Sequence, residues 1–305
     1  EQVEKRPYAV MLNNIKVASP QSGIGQADIV YEALTEAGIT RFLALFSEIG
    51  EGTPAADRLG SVRSARHYFV SFADEYDAIF VHFGETTYAA KKMKKLKIDH
   101  ITGMYGAGVS SFYRDKSIKA PHNAFASLEG IEKAVERAGI RTEYEEGYES
   151  HFRFYAQDTD ILAEEGMQEA TGLTLGFSAY TSPYFTYDKD TKLYTRYQFG
   201  GVHTDYNTGG ALTFKNLIIQ LVDEWNIDKN GYQTMDIEDA SGTGYYLTNG
   251  VCVPVTWKKK EETRFMRYYG QDGEELTINP GRTYIAVFPQ NREKYITIGQ
   301  EGQAH

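Results

Sequence analysis

One cysteine, Cys252, stands in 305 residues. A single thiol closes no internal disulfide and builds no cysteine-based zinc site. Its setting between Val251 and Val253 predicts a buried structural thiol rather than a reactive one. No run of 18 apolar residues occurs, so no membrane-spanning helix is expected. Basic charge is in deficit as well: 32 Lys+Arg face 42 Asp+Glu, for a net charge of −10. Sequence-independent nucleic-acid binding needs many cations meeting phosphates, so nucleic acid is not an expected partner. Motifs that anchor common enzyme classes are missing too. Without GxGxxG opening a helix, GxxxxGK(S/T), HExxH or GxSxG, the usual basis for nucleotide binding, zinc proteolysis and α/β-hydrolase chemistry is gone. Neither a cofactor nor a metal is expected.

Aromatics and glycine, in contrast, are abundant: 23 Tyr, 16 Phe and 29 Gly. Aromatic side chains suit pleated, half-buried surfaces and glycine supplies turns, so the composition leans towards a β-rich protein from outside the cytoplasm. With 41% hydrophobic and 24% charged residues and no low-complexity tract, the chain is expected to fold throughout, as about two domains. It begins at Glu1 in the polar segment EQVEKR, which fits the removal of an export signal.

The first half alternates strand and helix patterns. Pro7 to Leu12, Ala27 to Leu34 and Ile39 to Phe46 read as strands, with a turn at Thr35-Glu36-Ala37-Gly38. Ala65, Phe69, Phe72, Ala73 and Tyr76 recur at helical spacing. Asp77 to Phe83 reads as a buried strand ending at Gly84, followed by a helix carrying Lys91, Lys92, Lys94, Lys95 and Lys97. A further helix is predicted over Leu128 to Ala138, capped by Ser127 and stopped by Gly139. From Gly172 onward strand-turn-strand units take over: Tyr184 to Tyr187 with Leu193 to Phe199, Tyr245 to Leu247 with Val251 to Trp257, and Arg264 to Tyr269 with Glu275 to Ile278. Thr213 to Glu224 fits either period and is read as a strand. The expected fold is an α+β or mixed α/β N-terminal domain, residues 1–160, followed by a mainly β C-terminal domain, residues 161–305.

Gly60-Ser61-Val62-Arg63-Ser64-Ala65-Arg66-His67 crowds three cationic or potentially cationic side chains into one short stretch of an acidic chain. If Ser61 caps a helix, the first turn offers free N–H groups, and Arg63 and Arg66 at i, i+3 share one side. Both guanidinium groups then reach a single phosphate or carboxylate, with Ser61 or Ser64 adding a hydroxyl. The structural alternative is an internal network in which Asp57, Glu32, Asp28 or Glu85 supplies the counter-charge. Further polar residues fall at element ends where an α/β cleft would open: Arg41 after Thr40, His82 near the end of its strand, and His122-Asn123 before a helix. The candidate ligand-binding set is Arg63, Ser64, Arg66, Arg41, His82, His122 and Asn123, with His82 and His122 as candidate acid/base groups. KKMKKLK reads as a solvated helix face before it reads as a binding surface. His203-Thr204-Asp205-Tyr206, followed by NTGG, reads as a self-bonded turn before a metal loop.

The stretches RPYAVMLNN, PQSGIGQADIVYEALTEAGITRFLALF, GSVRSARHYFVSFADEYDAIFVHFG, APHNAF, FGGVHTDYNTGGAL, NGVCVPVTWKK and INPGRTYIAVFP together resemble the YerB-type lipoproteins of Gram-positive bacteria over nearly the whole chain. The resemblance implies an exported protein held outside the membrane by an N-terminal lipid anchor, with two domains that carry no established activity. Where that family usually has Gly-Pro-Val-Arg-Ser, this chain has Gly60-Ser61-Val62-Arg63-Ser64. In this light the N-terminal cleft is expected to bind an anionic cell-wall ligand or a cell-wall-synthesis partner. The alternative is a hydrolase or transferase acting on a phosphorylated or glycosidic envelope substrate, with Arg63, Arg66 and Arg41 holding charge.

Overall fold

Apolar runs that lack polar alternation become strands buried on both faces. The computed structural model describes residues 5–47, 57–161, 165–261, 264 and 266–299. Within it, β1 (Tyr8–Asn14), β2 (Ile29–Leu34) and β3 (Thr40–Phe46) fall on the three apolar runs predicted as strands. The chain forms two domains of mostly β structure with few helices. One compact unit comprises Glu1–Val30, Arg41–Glu149 and Thr204–Gly210; the other comprises Tyr31–Thr40, Ser150–His203 and Ala211–His305.

Along the first unit follow β4 (Leu59–Gly60), α1 (His67–Asp74), β5 (Ile79–His82), α2 (Thr87–Leu96), β6 (His100–Thr102), β7 (Phe112–Arg114), β8 (Ala124–Ala126) and α3 (Leu128–Ala138). β1, β5 and β6 are parallel, with Val10 opposite Val81 and Val81 opposite Ile101; β3 lies on the other side of β1. The carboxyl ends of the parallel strands therefore share one sheet edge, which carries Asn13, His82 and Thr102. Local chemistry sets the helix ends. The Thr86 hydroxyl accepts from Ala89 N–H to start α2, and Ser127 accepts from Gly130 N–H to start α3. Gly139 closes α3 at φ 65°, a left-handed conformation that favours glycine. None of the described helices is long and apolar enough to cross a membrane.

One local expectation fails. No helix starts at Ser61: α1 begins at His67, and its N-cap is Arg66, which makes no side-chain cap bond. Residues 59–65 instead run extended, because long-range backbone partners are available to them. Val62 N–H donates to Ala124 O at 2.7 Å, Arg63 N–H to Met11 O at 3.0 Å and Ala65 N–H to Gly84 O at 2.9 Å. Three such bonds satisfy donors that a first helical turn would have left open. Gly60 is required here. At φ 145° its missing Cβ would lie 2.7 Å from the Phe125 ring and 2.9 Å from Ala124 O.

In the second unit, Asn216–Val222 is a strand, as read. It pairs in parallel with Thr283–Pro289 and antiparallel with Ala240–Thr248, which continues through the Asn249-Gly250 turn into Val251–Lys259. A second sheet contains the Tyr184–Asp188 and Leu193–Gln198 hairpin, flanked by Gly172–Leu175. Phe185 of that sheet packs against Tyr284 of the first at 4.9 Å, and Phe177 against Phe288 at 4.8 Å. The expected hairpin after Met266–Tyr269 forms at its turn, where Glu275 bridges Tyr269 and Leu276 N–H donates to Tyr268 O at 2.8 Å. Beyond it, Thr277–Ile278 pairs in parallel with Arg153–Phe154. Cys252 is buried, and burial pushes its thiol up to about 12, in keeping with an inert core residue. Both tryptophans lie in this unit. Trp257 is buried and donates to Leu221 O at 2.9 Å, whereas Trp225 is half exposed.

A charged group is locked into the second unit. Glu32 and Arg196 are fully buried and meet at 2.7 Å; Tyr284 and Thr40 each donate to the same carboxylate at 2.6 Å. Arg196 also donates to His203 Nδ1 at 2.6 Å. Replacing Arg196 with Met strands a buried carboxylate. Chemical denaturation should show a loss of about 3 kcal/mol or more, and the double variant Glu32→Gln with Arg196→Met should recover a large part of it.

Three of the histidines held below their ordinary value near 6.5 are almost wholly buried. Burial, more than any neighbouring charge, lowers His82 to about 3, and it lowers His151 and His203 well below that ordinary value. Between the folded and unfolded values the unfolded chain binds more protons, so stability rises with pH there. The urea midpoint should accordingly fall as pH drops from 6.5 towards 3, and His82→Asn should flatten part of that fall.

Candidate functional site

The extended run from Gly60 to Ala65 decides where its arginines go. Side chains three apart on an extended backbone leave on opposite sides, whereas on a helix they share a face. Arg66 turns inward. It is 7% exposed, and its guanidinium donates to Ala65 O at 3.0 Å and Ser64 O at 3.4 Å. Arg63 is half-buried and reaches the loop before β8, donating to Pro121 O at 3.0 Å. The two-arginine clamp expected from their spacing therefore does not form.

A different pair takes its place. Arg41, at the start of β3, is buried and donates to Ser64 O at 2.5 Å. Its charge and that of Arg63 both act on His122. Burial, then Arg63, Arg41 and Lys119, hold the His122 imidazole below its ordinary value near 6.5. His122 is half-buried, and its Nδ1 lies 2.9 Å from Asn13 Nδ2 at the end of β1. An amide nitrogen only donates, so Nδ1 accepts and the neutral ring carries its proton on Nε2, directed away from Asn13. Asn13 was not among the residues singled out from the sequence. Its only signal was a polar Asn13-Asn14 pair closing an apolar strand.

His82 has another task. It is fully buried, with Nδ1 2.9 Å from Gly84 O and Nε2 2.9 Å from His100 Nδ1. The carbonyl fixes the proton on Nδ1, so His82 donates to Gly84 and accepts from His100. Its low pKa keeps it neutral at physiological pH. Glu85 Oε2 lies 3.6 Å from His82 Nδ1, and its other oxygen accepts from Tyr105 at 3.0 Å. Burial and Glu85 push the Tyr105 phenol up to about 12, so it stays a donor. This cluster positions Gly84, whose neighbour is Ser64: a Cβ placed on Gly84 would meet Ser64 Oγ at 3.1 Å. Ser64 Oγ in turn donates to Phe83 O at 3.2 Å.

Asn123 holds a loop rather than facing outward. It is buried, accepts from Arg114 at 2.7 Å and donates to Asp115 O at 3.1 Å, which fixes the segment carrying Pro121 and His122. Three of the carboxylates considered as counter-charges have other partners. Glu32 pairs with Arg196 in the second unit, Asp28 accepts from Ser47, and Glu85 accepts from Tyr105. Asp205 closes its own turn, accepting from Asn207 N–H at 2.7 Å and Thr208 N–H at 3.3 Å, with Gly25 N–H on its second oxygen. The self-bonded reading of that loop is the one the structure contains. Among the described residues no group of His, Cys, Asp and Glu is arranged to hold a metal ion.

Residues 1–141 match the model described as "Protein of unknown function (DUF3048) N-terminal domain", and residues 173–285 match the corresponding C-terminal domain. A Bacillus subtilis (strain 168) protein named "Putative lipoprotein YerB" is 33% identical over 301 residues, spanning 97% of this chain and 85% of that protein. The crystal structure of YerB from Bacillus subtilis superposes with a TM-score of 0.81 at 31% identity, covering 98% of this chain and 96% of that one. Ordered matches to both domains and a shared fold along nearly the whole length lead to one conclusion: the chain belongs to the DUF3048 family of YerB-like proteins.

Proposed function

We propose that this protein is an extracytoplasmic, lipid-anchored envelope protein whose N-terminal α/β domain binds an anionic ligand, bearing phosphate or carboxylate, from the cell wall or from a cell-wall-synthesis partner. The anchor and location follow the name of the Bacillus subtilis relative. One observation carries the ligand reading: in a chain of net charge −10, Arg63 reaches the loop of His122 through Pro121 O at 3.0 Å, and after burial it is Arg63, Arg41 and Lys119 that hold this half-buried imidazole below its ordinary value. Cations gathered at the carboxyl edge of parallel strands make a local positive potential of the kind that anions fill.

Arg63 and the Nε2–H of His122 are the contacting donors in this reading, with Arg41 adding charge from behind Ser64. Arg66, His82 and Asn123 position the surrounding backbone. Binding is favoured over catalysis because His82, neutral and bonded through both ring nitrogens, has no free acid/base function near pH 7.

Thermal-shift measurements with inorganic phosphate and pyrophosphate should stabilise the wild type by mass action. Arg63→Ala should abolish the shift while leaving the ligand-free melting temperature within a few degrees; an undiminished shift would remove Arg63 from the site. Imidazole NMR supplies an independent check with a defined sign. A bound anion offsets the neighbouring cations, so the His122 titration midpoint should rise on adding pyrophosphate. It should also rise in Arg63→Ala without any ligand, since a repelling charge is gone.

A further inference from the structure

Beside the cation site, along the sheet edge, lies an apolar ridge that an inorganic anion would leave in water. Past the end of β6, Met104 is 57% exposed, Tyr105 47% and Val109 54%. Half-buried Phe83, at the end of β5, packs edge-to-face on Phe112 with ring centres 5.6 Å apart. The ridge and the site share a wall. The point a Cβ would occupy on Gly84 is 3.1 Å from Ser64 Oγ and 3.9 Å from Met104 Cγ, while the Ser64 carbonyl is the group that holds Arg41. Phe83 N–H also donates to Arg63 O at 3.0 Å, so the backbone that carries the cation adjoins these large hydrophobic side chains. Tyr105 is pinned there through its bond to Glu85, so the aromatic part of the ridge is preformed.

We infer that the natural ligand of this site is an anionic amphiphile, a phosphate monoester whose hydrocarbon chain runs from the Arg63–His122 site over Phe83, Met104, Tyr105 and Val109. The inference rests on the anion-binding reading and adds the second half of the molecule. Charge complementarity selects the head group, and the adjoining apolar surface selects its substituent, because hydrocarbon covering exposed side chains is favourable in proportion to the area removed from water. A hydrophilic phosphate uses only the first of these.

The test compares inorganic phosphate, decyl phosphate and uncharged decyl maltoside by calorimetry or thermal shift, each below its micelle concentration. Decyl phosphate should bind the wild type at least about tenfold tighter than phosphate, which corresponds to covering a few methylene groups. Decyl maltoside should bind far more weakly than decyl phosphate. In Met104→Ser with Val109→Ser, both exposed positions, phosphate affinity should be unchanged and the decyl advantage lost. Equal affinity for phosphate and decyl phosphate on the wild type overturns the inference while leaving the anion site standing. An undiminished decyl advantage in the double variant removes the ridge from it, and decyl maltoside binding as tightly as decyl phosphate removes the anionic head. If neither phosphate nor decyl phosphate binds, the anion reading fails and the inference with it.

Discussion

Three backbone hydrogen bonds govern the first domain: Val62 to Ala124, Arg63 to Met11 and Ala65 to Gly84. They stretch residues 59–65 between β1, β8 and the end of β5, and everything at the candidate site hangs from that ribbon. An extended backbone sends Arg63 out and Arg66 in. It also sets the Ser64 carbonyl where Arg41 and Arg66 both reach it, and the Ser64 hydroxyl beside Gly84. Gly60 permits the path because any side chain there would strike Phe125.

The division between what the sequence revealed and what it concealed follows from range. Periodicity placed β1, β2, β3, β5 and the three described helices because burial repeats every two or 3.6 residues whatever the partner. Ser127 and Gly139 bounded α3 because caps act within one turn. The start of α1 was misplaced for the opposite reason. Ser61 to Ser64 looks like a helix cap locally, but its backbone donors find acceptors about 20 to 60 residues away. No local pattern encodes that competition. Past the hairpin contacts of Glu275 and Leu276, Thr277–Ile278 takes Arg153–Phe154 as its partner by the same logic.

At the site the residue types were legible and their pairing was not. Arg41, Arg63 and His122 were each identifiable as polar residues at element ends, yet their convergence depends on how β3, the ribbon and the loop before β8 are set in three dimensions. Asn13 escaped notice because an asparagine at a strand end is ordinary until a histidine is seen beside it. His82 shows the reverse case. A histidine near a strand end invites a catalytic reading, but full burial and two ring hydrogen bonds make it a fixed, neutral strut beneath Gly84.

The placement of the tryptophans carries a practical consequence. Trp225 and Trp257 both belong to the second unit, one half exposed and one bonded to Leu221 O in the core, while the first unit contains tyrosine and phenylalanine but no tryptophan. Selective excitation of indole fluorescence therefore watches the second domain alone. A tryptophan engineered near the ribbon of a chain whose Trp225 and Trp257 are replaced by phenylalanine would report on the first domain in the same way, so that a pair of variants follows the two domains separately.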